Sequence, residues 1–400
     1  MRRREFLRSL TAASAYALSS PLRAQRTSAR VVVIGGGIVG ASIAMHLAEA
    51  GARVTVLEKS GPAKGATEKS FAWLNTYNSD AHYRALRLQS LLAYRELDTP
   101  LQLGITWGGY LNWSESASEA AELREYAAAV AGTPCAWQAL STEELAQSSP
   151  AVAPGAVAAA YFSRIDGHLD PVWVTWRLLD RARVLGAKVV FPCEVTGLEF
   201  RGQRLAAIST TRGKVPADRV VVAAGVDTPR ILSLAGFALR LQHAPGMLTH
   251  SLPIPEAIKM VCDAPRGVEF KQMANGRIVG TDAVAPPDIP AHTEIRAHPV
   301  DFPDDSLRAL HGRRALERIA EYLPAAKAAT FDFLTLGFRP MPLDGFPVVG
   351  ALPARADVYV AVTHSGVTLA PILGQYVTRE LLAGERIDLL SPYRPGRFAG

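Results

Sequence analysis

Three glycines and one acid carry the first chemistry legible in this chain. Gly35, Gly37 and Gly40 follow the β-branched run Val31-Val32-Val33-Ile34, and an amphipathic stretch begins directly after them. In that setting Gly35 permits a tight turn, Gly37 lets backbone approach a pyrophosphate, and Gly40 lets helix and strand close together. Orphan N–H groups and the positive end of a helix dipole then favour an anionic phosphate. Glu58 ends a second strand-like run, 53–58, where a carboxylate can accept both hydroxyls of a ribose, and Lys59 follows it.

A second constellation lies near the C-terminus. A strand over 358–362 leads through Thr363-His364-Ser365 into Gly366, Val367 and Thr368, which open a helix running to residue 382. Unpaired N–H donors and a positive dipole end suit a flavin, whose N1–C2=O edge becomes negative when it accepts two electrons. The glycine fingerprint alone does not separate NAD from FAD.

The elements that position these residues follow from periodicity. Val39, Ile43 and Leu47 share one face of a helix over 41–50, which Gly51 ends. The small-residue loop 65–73 carries Thr67 and Ser70. Helices are expected over 80–98, 114–131, 171–185 and 304–322, with capping boxes at Ser116/Glu119 and Ser141/Glu144. Strands are expected over 187–191, 194–200, 204–210 and 219–223, the last running into the turn at Gly225. Residues 237–300 are proline-rich. Nucleotide-type signals fall at 31–75, 166–228 and 337–383, so a second domain must be assembled from the segments between them.

Composition narrows the class. The chain has 400 residues, 48% of them hydrophobic and 20% charged, with no apolar run of bilayer length. Cys135, Cys193 and Cys262 lie far apart and offer no zinc pattern, disulfide framework or redox pair, so no metal is expected. The formal charge of +6 is carried by seven arginines and one acid within residues 1–30; the remainder holds 36 basic and 36 acidic side chains. A nucleic-acid surface is therefore not expected. Arg3-Arg4-Glu5-Phe6-Leu7-Arg8, the weakly apolar stretch 9–22 and Ala24 resemble a bacterial twin-arginine export signal over residues 1–27. That resemblance implies a partner in the export machinery and a periplasmic or envelope location.

Taken whole, the chain resembles the glycine oxidase, D-amino-acid oxidase and sarcosine oxidase family of FAD-dependent amine oxidoreductases. The matching pieces are VVVIGGGIVG and VTVLEKS, DGHLDP and VVVAAGVDT, and FRPMPLDGFPVVG with THSGVTLAPILGQYVTRELL. The resemblance implies an α/β fold in which a Rossmann-like FAD-binding domain (28–80, 152–230 and 334–398) is interleaved with an α+β substrate domain on a mixed sheet (81–151 and 231–333). It assigns Gly35, Gly37, Gly40, Glu58, Lys59, Thr67, Ser70, Val195 and Gly225 to the cofactor. Gly350, Gly366, Val367 and Thr368 fall against the isoalloxazine. Arg339 matches the arginine that grips a substrate carboxylate, a planar bidentate task. No cysteine stands near 339–350, where covalent members attach FAD, so a dissociable cofactor is expected. Thr363 replaces the family's usual glycine before His364.

The implied reaction is oxidation of the C–N bond of an amino acid or N-substituted amino acid by hydride transfer to flavin N5, with oxygen or a quinone reoxidising the flavin. Lys271 lies roughly where some oxidases keep an oxygen-activating lysine, although an exposed strand lysine is the simpler expectation. His243, His250 and His364 are candidates to line the pocket, with structural roles the commoner outcome. A nicotinamide-linked reductase or a flavin hydroxylase would need a second dinucleotide site, which is not recognisable. A non-catalytic flavin-binding subunit of an envelope complex, or a flavoenzyme acting on another substrate class, stays open.

Overall fold

Two sheets of different character share the chain. The computed structural model describes residues 29–283 and 289–398, and the twin-arginine leader expected over 1–27 lies outside them. The first sheet has six strands, in the order Val348–Leu352, Arg355–Val362, Arg219–Val222, Arg30–Ile34, Arg53–Leu57, Lys188–Val190. All neighbours are parallel except the hairpin of the first two. Its strands read as continuous apolar runs because both faces are covered. Val31 and Val33 point toward helices Ile38–Glu49, Pro171–Val184 and Gly366–Thr378. Val32, Ile34 and Val220 pack instead beneath the antiparallel meander formed by Val195–Arg201, Arg204–Thr210 and Gly213–Pro216.

The second sheet has eight strands, in the order Phe331–Phe338, Pro245–Ser251, Ile278–Asp282, Val268–Gln272, Val261–Ala264, Tyr110–Ser114, Ala159–Ser163, Gln138–Ala139. Only Val261–Ala264 and Tyr110–Ser114 are parallel neighbours within it. Val268, Phe270 and Ile278 bury one face against Leu316 and Ile319 of helix Asp305–Tyr322. Two strands of this sheet reach into ranges expected for the nucleotide unit: Ala159–Ser163 lies within 152–230, and Phe331–Phe338 straddles residue 334. Ala159–Ser163 pairs residue for residue with Tyr110–Ser114, and Phe331–Phe338 pairs with Pro245–Ser251 apart from a register shift at Ser251.

The expected helices form within a few residues of their limits. At Ser141 both halves of the capping box are made, whereas at Ser116 only the hydroxyl accepts, from the Glu119 N–H at 3.3 Å. Helix Gly366–Thr378 crosses Ile38–Glu49 so tightly that a Cβ on Gly374 would lie 2.4 Å from His46 Nδ1 and 2.5 Å from Ser42 Oγ. Pro371 stands inside that helix, not at its first position, and removes the N–H that Val367 O would accept. The buried Tyr94 hydroxyl replaces it, donating to Val367 O at 2.7 Å, a bond of about 1 kcal/mol. Among the described residues no helix is long and apolar enough to cross a membrane.

Candidate active site

The glycine turn is built where two parallel strands stop. Gly35 takes φ +112° because the chain must turn under Ala223, whose carbonyl would stand 2.3 Å from any Cβ there. A Cβ on Gly40 would stand 2.1 Å from Gly35 O, so strand and helix close on each other only through glycine. Glu58 accepts N–H groups from Gly36 (2.7 Å) and Ser60 (2.9 Å), which fixes its carboxylate at the strand end with lone pairs left for a ribose. An open cleft of about 340 Å³ runs past Gly35, Glu58, Lys59 and Val195. Cys193, Asp227 and Arg230 also line it, and motif reading did not single them out. Lys59 pairs with Asp227, and Arg230 with Glu194 at 3.1 Å, so salt bridges flank the cleft.

The loop after Glu58 folds back over the glycine turn. Thr67 Oγ1 accepts the Ile38 N–H at 3.2 Å, filling one orphan donor at the start of the first helix, and would meet a Cβ on Gly37 at 3.1 Å. Ser70 Oγ accepts from Ala72 N at 3.0 Å and shapes the turn that leads to Trp73. Gly225 opens a 3₁₀ turn with φ +58°. Together the cleft, the glycine turn and the carboxylate fit the adenosine and pyrophosphate of a dinucleotide.

At the other end the two sheets meet. Gly366, Val367 and Thr368 begin the C-terminal helix; Thr368 Oγ1 donates to Trp73 O at 3.0 Å, tying the helix start to the loop. No side chain caps that helix start and no acid stands in its first turn, so its positive end is open. Gly350 is placed by packing: a Cβ would press on Pro395 at 2.9 Å. Arg339, directly after strand Phe331–Phe338, is exposed. Its Nε and Nη2 donate to Ala244 O and Pro245 O at 3.3 and 3.1 Å. Those bonds orient the fork and leave Nη1 free among the described residues, with no carboxylate at ion-pair distance. His364, exposed toward the same junction, is pushed down to about 4 by desolvation and then by the Arg339 and Arg87 charges, so it is a neutral imidazole near pH 7.

Lys271 is not the exposed strand lysine expected. It is 1% exposed, because both faces of Val268–Gln272 are covered: Phe270 faces the helical core and Lys271 the 71–73 loop. Its Nζ lies 3.5 Å from Ala72 O, 3.4 Å from Leu169 O and 5.4 Å from the Phe71 ring centroid. Burial lowers its pKa to about 7, against a small opposing pull from Asp170. His243 is bonded to Ile295 O at 2.9 Å, and His250 stacks on Phe333 with ring centroids 4.3 Å apart, so both serve the framework.

Further residues on the same sheet face went unread. Tyr110 donates to Asp263 at 2.8 Å, and Asp263 stands opposite Glu269 across adjacent strands. Burial, then repulsion from Asp263, holds the Glu269 carboxyl up to about 7 despite Arg339 nearby. Asp263 is raised to about 6, again chiefly by burial. Only the strand pairing, invisible in spacing, brings these acids together.

The fold and this two-ended site define a flavoprotein oxidoreductase. The chain belongs to the family of FAD dependent oxidoreductases, whose pattern matches residues 30–380. It is similar to the mitochondrial dimethylglycine dehydrogenase of Rattus norvegicus, 26% identical over 392 residues, covering 92% of this chain and 45% of that protein. The chain thus spans a little under half the length of that relative. It is also similar to the glycine oxidase of Geobacillus kaustophilus, 25% identical over 92% of this chain and 97% of that one. The solved structure of that glycine oxidase superposes with a TM-score of 0.80 at 23% identity, covering 92% of this chain and 98% of that chain. The L-proline dehydrogenase from P. horikoshii does so at 0.81 and 22%, covering 93% and 98%. Those two likenesses establish the α/β architecture with mixed sheets, and the family establishes FAD as the cofactor.

Proposed function

We propose that this protein oxidises the C–N bond of an amino acid or N-substituted amino acid. The observation that carries the reading is Arg339: an exposed guanidinium with no carboxylate at ion-pair distance among the described residues, oriented by the carbonyls of Ala244 and Pro245, its charge felt by His364, two residues before the C-terminal helix. Such a fork grips a carboxylate and aims the carbon next to it. The names of two relatives, glycine oxidase and dimethylglycine dehydrogenase, support an amine beside that carboxylate. Bound non-covalently, FAD would accept hydride from the carbon bearing nitrogen. Gly35, Gly37, Gly40 and Glu58 would hold its adenosine and pyrophosphate, and Gly366, Val367 and Thr368 would line its ring. Arg339 positions the substrate as its amine loses its proton to water, and the resulting imine is hydrolysed in solution. The test is anaerobic mixing of the holoenzyme with glycine, sarcosine, dimethylglycine, proline and D-amino acids. At least one should bleach the flavin absorbance and yield a carbonyl product; a flavin that none of these amines reduces would sink the reading.

Lys271 favours oxygen as the acceptor. With a pKa near 7 its ammonium is populated below that pH and lost as pH rises through it. Reoxidation by oxygen should therefore slow above pH 7. Lys271→Met should cut that rate more than about tenfold, about 1.4 kcal/mol of barrier, and leave anaerobic reduction by substrate within a few-fold. If the variant reoxidises at the parental rate, the lysine has no such role, and a quinone becomes the acceptor to assay. The Arg3-Arg4 leader directs the folded holoprotein to the envelope by the twin-arginine route; fractionation that finds it in the cytosol with the leader intact would refute this.

A further inference from the structure

Arg87 is a buried cation without a counter-ion. It projects from helix Ala81–Leu101 and is 7% exposed, yet no carboxylate among the described residues lies within ion-pair distance of it. Its donors are occupied by neutral groups: Nε bonds Asn75 O at 3.0 Å, Nη2 bonds Asn75 Oδ1, and Nη1 bonds Ser365 Oγ at 3.3 Å. The Tyr83 ring stacks 5.3 Å from the guanidinium carbon. Asp166 is near enough to be felt, but its own carboxyl is buried, bonded to Ser163 (2.6 Å) and Trp73 (3.0 Å), and raised to about 7 by desolvation. Burying an unpaired guanidinium costs several kcal/mol unless an anionic group repays it.

The arrangement shows where that anion would form. Ser365 is the residue before helix Gly366–Thr378, and its hydroxyl is bonded to Arg87 instead of capping the helix amides. A fixed full charge and an uncapped helix start therefore converge on the same short segment. Resting on the proposed placement of the ring against Gly366–Thr368, a flavin held there would carry one more negative charge beside that segment once it had accepted a hydride. We infer that Arg87, held by Asn75 and Ser365, is the buried charge that sets the electron affinity of the bound flavin. It acts through Ser365 and through space, as a positioning residue for charge. Its worth is realised most when the ring becomes negative, because no carboxylate among the described residues lies at ion-pair distance from it and Asp166 is felt only through space.

The test uses purified holoenzyme and two readouts independent of turnover: the flavin midpoint potential, and the dissociation constant of sulfite, which adds to the ring and leaves it negatively charged. Arg87→Gln should weaken sulfite at least about tenfold and lower the two-electron potential by about 30 mV for each tenfold. Arg87→Lys, which keeps the charge, should stay within about threefold of the parent. Should Arg87→Gln fail to fold, Asn75→Asp supplies the same test, since it gives the guanidinium a counter-ion and forfeits only the long 3.4 Å amide contact to Trp73 O. Asn75→Asp should likewise weaken sulfite and lower the potential. Either neutralising variant holding full flavin with unchanged sulfite affinity and potential would overturn the inference. Were the parent itself to hold no flavin, the proposed function would fall with it; were its flavin reduced by an amine while the variants did not shift, only the role of Arg87 would.

Discussion

Arg339→Ala should raise the apparent dissociation constant for the amino-acid substrate by about 10²-fold or more, with FAD content unchanged. A hundredfold is about 2.7 kcal/mol, within the usual cost of removing one partner from a charge-assisted bidentate pair. Flavin retention is expected because the Arg339 side chain hydrogen-bonds Ala244 O and Pro245 O, at the start of a strand of the large sheet, and no hydrogen bond ties it to the glycine turn. Arg339→Lys should recover only part of the loss, since an ammonium lacks the planar fork. Steady-state kinetics beside flavin quantitation decides it. Substrate binding that survives the truncation would assign Arg339 to framework bonding of those two carbonyls.

Gly40→Ala should nearly abolish holoenzyme. The added Cβ would lie 2.1 Å from Gly35 O, a contact no rotamer relieves, so the first helix must move off the strand that carries Gly35. Gly37→Ala meets only Thr67 Oγ1 at 3.1 Å, a neighbour able to shift by a few tenths of an ångström. The pair therefore separates two roles. Gly40→Ala should be poorly soluble or strongly destabilised. Gly37→Ala should fold and lose flavin, because its methyl competes with the pyrophosphate and not with protein. Thermal melts with and without added FAD measure both. A Gly40→Ala protein with parental melting temperature and full flavin would contradict the closeness of that crossing.

The strand, glycine turn and helix that bring Gly35, Gly37, Gly40 and Glu58 together were legible because their order is local. Gly35, Gly37, Gly40 and Glu58 lie on consecutive elements whose order dictates their meeting, and the cleft past Glu58 and Val195 forms where that order places it. Meetings between residues that no motif marks were not legible. Asp263 and Glu269 meet only through a hairpin, and Asn75, Arg87 and Ser365 through a crossing of 278 residues. Lys271 shows the same limit from another side. A lysine in a strand promises solvent on its face, and here loop 71–73 covers that face.

Heat denaturation of the purified full-length protein, followed by chromatography of the supernatant, probes the foundation directly. One equivalent of FAD per chain should leave the precipitate, unattached to peptide, and Gly37→Ala prepared in parallel should release little. A colourless parent that yields no flavin, and takes up none when FAD is supplied, would contradict the extended cofactor site from Glu58 to Gly366 and everything built on it.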